Sequence, residues 1–152
     1  MIVYRIGRTK FANDLTGEGA RLHGGRWNHK LTACVYTSES RALALLEYTV
    51  NVNIDDIPRA LSFTAIEIPD DDMLPLGLAD LPGNWNAAPA PTNTKQFGTG
   101  ILKKNQHLVV KIPSAVIPAE FNYLINPLHS NIVRCKILSV SDFVYDVRIK
   151  TV

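Results

Sequence analysis

Cysteine is nearly absent from this chain. Cys34 and Cys135 are the only two, they stand far apart, and neither belongs to a Cys-x-x-Cys pair, which excludes a disulfide framework and a cysteine zinc site. Long apolar runs are missing as well. Charge-free stretches such as residues 112–119 fall well short of the ~18–20 residues that span a bilayer and are broken by proline. The N-terminus has no basic head followed by an apolar run of secretory length, so a cytoplasmic location is expected. Gly-x-x-x-x-Gly-Lys, Gly-x-Gly-x-x-Gly, His-Glu-x-x-His and Gly-x-Ser-x-Gly do not occur. Walker ATPases, dinucleotide folds of the usual kind, zincins and serine hydrolases go with them. His23, His29, His107 and His129 lack metal-ligand spacing, so no metal is expected.

What remains is an ordinary globular composition. The chain has 152 residues, 46% apolar and 20% charged, enough for a sizeable core, and a single domain over residues 1–152 is expected. The formal charge of +2 hides a pattern: residues 1–50 hold seven basic and four acidic groups, 51–100 two and seven, 101–152 seven and three. A cleft lined by the two basic thirds would attract a phosphate or nucleotide, but so small a total argues against broad nucleic-acid binding.

Alternation predicts strands at Ile2–Gly7, Ala33–Ser38 and Leu61–Ile68, with further strands at Leu108–Ile112, Phe121–Ile125, Ile132–Val140 and Phe143–Ile149. A helix is expected at about Ser40–Asn51, capped by a serine, and a second over Thr94–Asn105. Residues 10–30 read as a glycine-rich loop interrupted by a short extended piece around Arg26 and Trp27, 73–94 as a proline-broken connection, and Asp70-Asp71-Asp72 as a solvated turn. The fold class is therefore mixed α+β without regular βαβ alternation.

Glu47 resists a bland explanation. It falls four residues after Leu43 and three before Val50, on the edge of the apolar stripe of the predicted helix, where an unpaired desolvated carboxylate costs several kcal/mol. The ordinary alternative is a flank Glu reaching water or an arginine. Arg26 lies in Gly24-Gly25-Arg26-Trp27-Asn28, where glycines let a ligand approach a permanently charged guanidinium; a surface arginine is the alternative. Tyr36 sits mid-strand just upstream of the Glu47 helix, so the strand-to-helix turn can bring phenol and carboxylate together; a core tyrosine is the alternative. Ser114 and Asn126 are polar groups at strand ends, where turn formation is the usual explanation.

Taken in order, these residues make the chain resemble the RES-domain toxins of bacterial toxin–antitoxin pairs, nearly end to end. The resemblance rests on Tyr4-Arg5, Gly17-Glu18-Gly19-Ala20, Gly24-Gly25-Arg26-Trp27-Asn28, Tyr36-Thr37-Ser38, Ala44-Leu45-Leu46-Glu47, Trp85, Pro113-Ser114-Ala115 and Asn126-Pro127-Leu128-His129. It departs from the family pattern at His29-Lys30-Leu31-Thr32, at Gly100-Ile101 and at Ser130. The resemblance implies an ADP-ribosyltransferase-like split β-sheet core with a few short helices, and a cleft for NAD as a substrate to be consumed, with no separate cofactor. It places the family's catalytic set on Arg26, Tyr36 and Glu47, and substrate-binding positions on Arg5, Gly25, Ser38, Ser114, Asn126 and His129. It further implies an Xre-type helix-turn-helix antitoxin as partner, in a multimeric complex that leaves this chain no direct nucleic-acid contact. The acceptor stays open among water, phosphate and a protein side chain. Two readings from other classes are a noncatalytic anion or nucleic-acid module built on Arg5, Arg8, Arg21, Arg26 and Arg41, and a structural partner protein.

Overall fold

In the computed structural model, which describes residues 1–150, the alternating N-terminal segment forms strand β1 (Ile2–Arg8) and the β-branched run before Ser38 forms β2 (Val35–Ser38). The remaining strands are β3 (Leu61–Glu67), β4 (Met73–Pro75), β5 (Val109–Pro113), β6 (Phe121–Ile125) and β7 (Lys136–Phe143). They make one sheet in the order β4-β5-β6-β2-β1-β3-β7, antiparallel throughout except for the β4–β5 pair. β1 runs along β3 over its whole length, and β2 pairs residue for residue with β6. β1 and β2, in contrast, share one rung, Tyr4 opposite Ser38. The sheet is thus split into halves, β4-β5-β6-β2 and β1-β3-β7, that diverge from a single point. The mixed α+β class read from the element pattern holds, and the split core is the one that the family resemblance implies.

Three helices dress this sheet. Helix α2 (Arg41–Asn51) begins where expected because Ser40, in extended conformation, accepts a hydrogen bond from the Leu43 amide at 3.0 Å. It packs on β1 and β2, burying Leu43, Ala44 and Thr49. Full burial of a side chain such as Leu43 contributes ~1.5–3 kcal/mol. Helix α3 (Thr92–Lys104) shields the half-sheet of β5 and β6, with Leu102 packed in a cluster with Trp27, Cys34, Val110, Ile112 and Leu124. Its Gly98 is required: a Cβ there would lie 2.1 Å from the Trp27 carbonyl oxygen. A second cluster, with Val3, Ile66, Val109 and Ile125, joins the two halves, and a third packs Ala44 against Ile6, Leu61, Phe63 and Tyr145.

Four expectations change. The glycine-rich segment holds a short helix, α1 (Glu18–His23), which the glycines conceal from a periodicity reading. The proline-rich connection contributes β4, an edge strand ending at Pro75, where a missing amide does no harm. The start of the strand expected at Ile132–Val140 falls in a 3₁₀ turn, Ser130–Arg134, after His129, and the end of the one expected at Phe143–Ile149 falls in another, Val147–Ile149, after Asp146. In each case the preceding side chain accepts a local amide, and this local bond competes with strand pairing. Asp72 is not a solvated turn residue. Its carboxylate accepts from the Leu108 amide at 3.1 Å and from Asn131 Nδ2 at 2.8 Å, tying β4 and β5 to the turn after β6.

Candidate active site

The gap between the half-sheets is a cleft of about 920 Å³, within the range of small-molecule and cofactor pockets. Tyr4, Arg5 and Ile6 of β1 line one side and Tyr36, Thr37 and Ser38 of β2 the other, so the single Tyr4–Ser38 rung forms its floor. Helix α2 turns Ala44, Glu47, Tyr48 and Asn51 toward it, spaced as one face of a helix should be. The Gly25-Arg26-Trp27 turn and the 86–90 loop complete the wall. Arg26, Tyr36 and Glu47, distant in sequence, therefore border one cavity.

Glu47 is held by donors rather than by cations. Its Oε1 accepts from Ser114 Oγ at 2.6 Å and from Asn122 Nδ2 at 2.6 Å. Oε2 has no protein partner among the described residues. Ser114 is fully buried, and its hydroxyl oxygen also accepts from the Val116 and Ile117 amides at 3.0 Å. Its proton is thereby directed at Glu47. Asn122, facing Ser38 across the β2–β6 ladder, accepts from Ser38 Oγ at 2.7 Å through its own Oδ1, which fixes the amide with Nδ2 toward the carboxylate. The chain Ser38 to Asn122 to Glu47 spans two strands and a helix.

Tyr36 presents its ring to the cleft while its hydroxyl is engaged elsewhere. That hydroxyl donates to Asn28 Oδ1 at 2.6 Å and accepts from the Trp27 amide at 2.9 Å. Burial pushes its pKa well above the ordinary phenol value, so it stays neutral. Asn28 is fully buried and donates to the carbonyls of Ala20, His29 and Thr32. The phenol and this amide together fix the Gly-Gly-Arg-Trp-Asn turn. Gly25 is glycine for the same reason: a Cβ there would lie 2.6 Å from the Tyr36 hydroxyl.

Arg26 directs Nη1 to the carbonyls of Trp85 and Ala87, both at 2.8 Å, pinning the loop that closes the cleft; Trp85 stacks on Trp27 at 6.1 Å between centroids. The rest of the guanidinium has no protein acceptor among the described residues. Arg5 also lines the cleft, but its Nη groups donate to the carbonyls of Phe11, Ala12 and Asp14, and burial lowers its pKa. Its guanidinium is a buttress for the 11–14 loop. Gly25 and Ser38 line the cleft directly.

Asn126 and His129 lie elsewhere. Asn126 donates to the Leu102 carbonyl and Asn105 Oδ1 and accepts from the Leu128 amide, closing the turn after β6 against the end of α3. His129 caps the following 3₁₀ turn through Nδ1, 3.9 Å from Asp72. Neither is among the residues that line the cleft, and both make the turn-forming bonds that their strand-end positions suggest. Asn122, Tyr48, Lys95 and the 86–90 loop were not anticipated as cleft residues. Asn122 carried a usable signal, because asparagine is disfavoured inside a strand and sits here between Phe121 and Tyr123.

Among the described residues that line the cleft Glu47 is the sole carboxylate, and Arg5, Arg26 and Lys95 share the lining with it. Such a cavity suits an anionic ligand and can stabilise one localised positive charge beside the carboxylate. No three His, Cys, Asp or Glu side chains gather as a metal site would require among the described residues, and no described helix is long and apolar enough to cross a membrane.

Comparison with known proteins agrees with this architecture. The Toxin Res of Yersinia enterocolitica is 37% identical over 153 residues, covering 99% of this chain and 100% of that protein. The Prs ADP-ribosylating toxin of Sphingobium sp. is 38% identical over 144 residues, covering 93% of this chain and 89% of that protein. Among solved structures, the M. tuberculosis MbcT–MbcA toxin–antitoxin complex contains a chain that matches with a TM-score of 0.76 at 18% identity, over 94% of this chain and 84% of that one, a likeness of fold. The RES domain model matches residues 2–147; with relatives this similar over nearly their full length, the chain belongs to the RES domain family.

Proposed function

We propose that this protein is the toxin of a toxin–antitoxin pair and that it cleaves the bond between nicotinamide and ribose in NAD. The observation that carries the reading is the convergence of Arg26, Tyr36 and Glu47 on one cleft, with Glu47 Oε1 saturated by Ser114 and Asn122 and Oε2 open. The curated relatives named Toxin Res and Prs ADP-ribosylating toxin support it.

The reaction asks little of the protein beyond charge and position. As the glycosidic bond breaks, its electron pair leaves with the already cationic nicotinamide, which departs neutral, and positive charge spreads over the ribose as an oxocarbenium-like centre. Glu47 Oε2 accepts a hydrogen bond from the ribose 2′-hydroxyl and lies beside the developing charge, an interaction that strengthens toward the transition state. The Tyr36 ring offers a face for nicotinamide, its position set by Trp27 and Asn28. The free edge of Arg26 takes part in holding the diphosphate. Attack at C1′ by water or phosphate then gives ADP-ribose or its phosphate ester. A second reading, ADP-ribosyl transfer to a protein side chain, is favoured by the similarity to the Prs ADP-ribosylating toxin. In either case an antitoxin, of the Xre helix-turn-helix type, would restrain the toxin in the cytoplasm and make any DNA contact itself. The fold neighbour was solved with its antitoxin, which supports such a partner.

The test is chromatographic release of nicotinamide from NAD by the purified protein, with ADP-ribose products resolved by mass spectrometry in the presence and absence of phosphate. Cleavage that Glu47→Gln slows by about 10²–10³-fold is expected. Intact NAD after prolonged incubation, or an undiminished Glu47→Gln, would reject the reading.

A further inference from the structure

Resting on the NAD-cleaving reading, we infer that Lys95 is the principal binding group for the diphosphate of the dinucleotide, at the end of the cleft where α3 begins. Three Lys or Arg side chains line the cleft, and they differ in what they already hold. Arg5 spends both Nη groups on loop carbonyls, and Arg26 spends Nη1 on two more. The Lys95 ammonium has no protein acceptor among the described residues, although the residue is half-buried. A half-buried lysine that lines a cavity without a protein acceptor leaves its charge to be met by water or by an anion, and a flexible ammonium is a point charge well suited to phosphate.

Its surroundings add to this. Lys95 leaves the first turn of α3, whose cap residue Pro91 supplies no side-chain acceptor. The Thr94 and Lys95 amides share the Pro91 carbonyl at 3.1 and 3.2 Å, while those of Thr92 and Asn93 meet no protein acceptor among the described residues. Lys95 thus belongs to the turn that carries the positive end of the helix. Ala88, Pro89 and Ala90, which lead into the helix, line the same wall and carry no charge. The cleft's one carboxylate, Glu47, is on α2. The cavity thus draws an acid for the ribose from α2 and an unengaged base for the phosphates from α3.

The inference is tested by calorimetric titration of ADP-ribose into wild type, Lys95→Met and Lys95→Arg, with adenosine as the phosphate-free probe. Lys95→Met should weaken ADP-ribose about tenfold and flatten its salt dependence, with Lys95→Arg within about threefold of wild type and adenosine unaffected. ADP-ribose affinity unchanged in Lys95→Met, no binding by wild type, a loss that arginine does not restore, or an equal loss of adenosine would each overturn it. NAD turnover, assayed in parallel, separates the two claims. Lys95-dependent ADP-ribose binding by a protein that leaves NAD intact would retain the subsite and reject the cleavage. Cleavage with Lys95 immaterial to binding would do the reverse.

Discussion

Two short hydrogen bonds to one oxygen of Glu47 decide what that residue can do, because they orient the carboxylate and leave its other oxygen toward the cavity. Glu47→Gln should lower nicotinamide release by about 10²–10³-fold, with little change in melting temperature, since it keeps the shape and removes the charge. Asn122→Ala should cost about tenfold in kcat while KM moves less, because it loosens Glu47 without touching the diphosphate. Tyr36→Phe is expected to act through structure. It leaves buried Asn28 Oδ1 and the Trp27 amide without partners, a loss of about 2–4 kcal/mol by chemical denaturation. Glu47 was legible because a carboxylate at the edge of an apolar stripe is out of place, whereas Arg26 and Tyr36 suit ordinary positions in their segments and were grouped with it by the family resemblance; the structure brings all three to one cleft. Lys95 was not legible, since a lysine near a helix start is ordinary until a cavity is seen beside it.

Among the elements, α3 offers a contest between propensity and packing. Gly98→Ala should favour the helix by about 1 kcal/mol, yet the added methyl would lie 2.1 Å from the Trp27 carbonyl oxygen. Backbone cannot yield as a side-chain tip can, so packing wins and the melting temperature should fall. The helices and strands with clear periodicity, β1, β3, β6 and α2, were readable to within a residue or two. What escaped was short or governed by a neighbour: six-residue α1 lies among glycines, three-residue β4 among prolines, and β7 begins only after the capped turn that follows β6. Local capping bonds, invisible to a hydropathy pattern, set those boundaries.

For the molecule as a whole, acid sensitivity has a named contributor. The hydrogen bond from Asn131, with that from the Leu108 amide, holds the Asp72 carboxyl below the ordinary aspartate value. A depressed folded-state pKa contributes stability that is complete above the unfolded aspartate pKa of about 3.9 and is lost as pH falls through the folded value. Wild type should therefore be more stable than Asp72→Ala at pH 6, and that margin should shrink steadily below pH ~4 in denaturant titrations. If the margin held constant into strong acid, the carboxylate would not be its source.

The lone rung between Tyr4 and Ser38 has a mechanical consequence. Two half-sheets that share one backbone rung, and are otherwise joined only by side-chain packing, can flex there more readily than a continuous ladder, and a dinucleotide lodged between β1, β2 and α2 would serve as a cross-brace for both leaves. Substrate occupancy would then register as stiffness far from the reacting bond. Glu47→Gln saturated with unreacted NAD should show slowed amide exchange in β1 and β2 together, the signature of a book held shut by what lies between its covers.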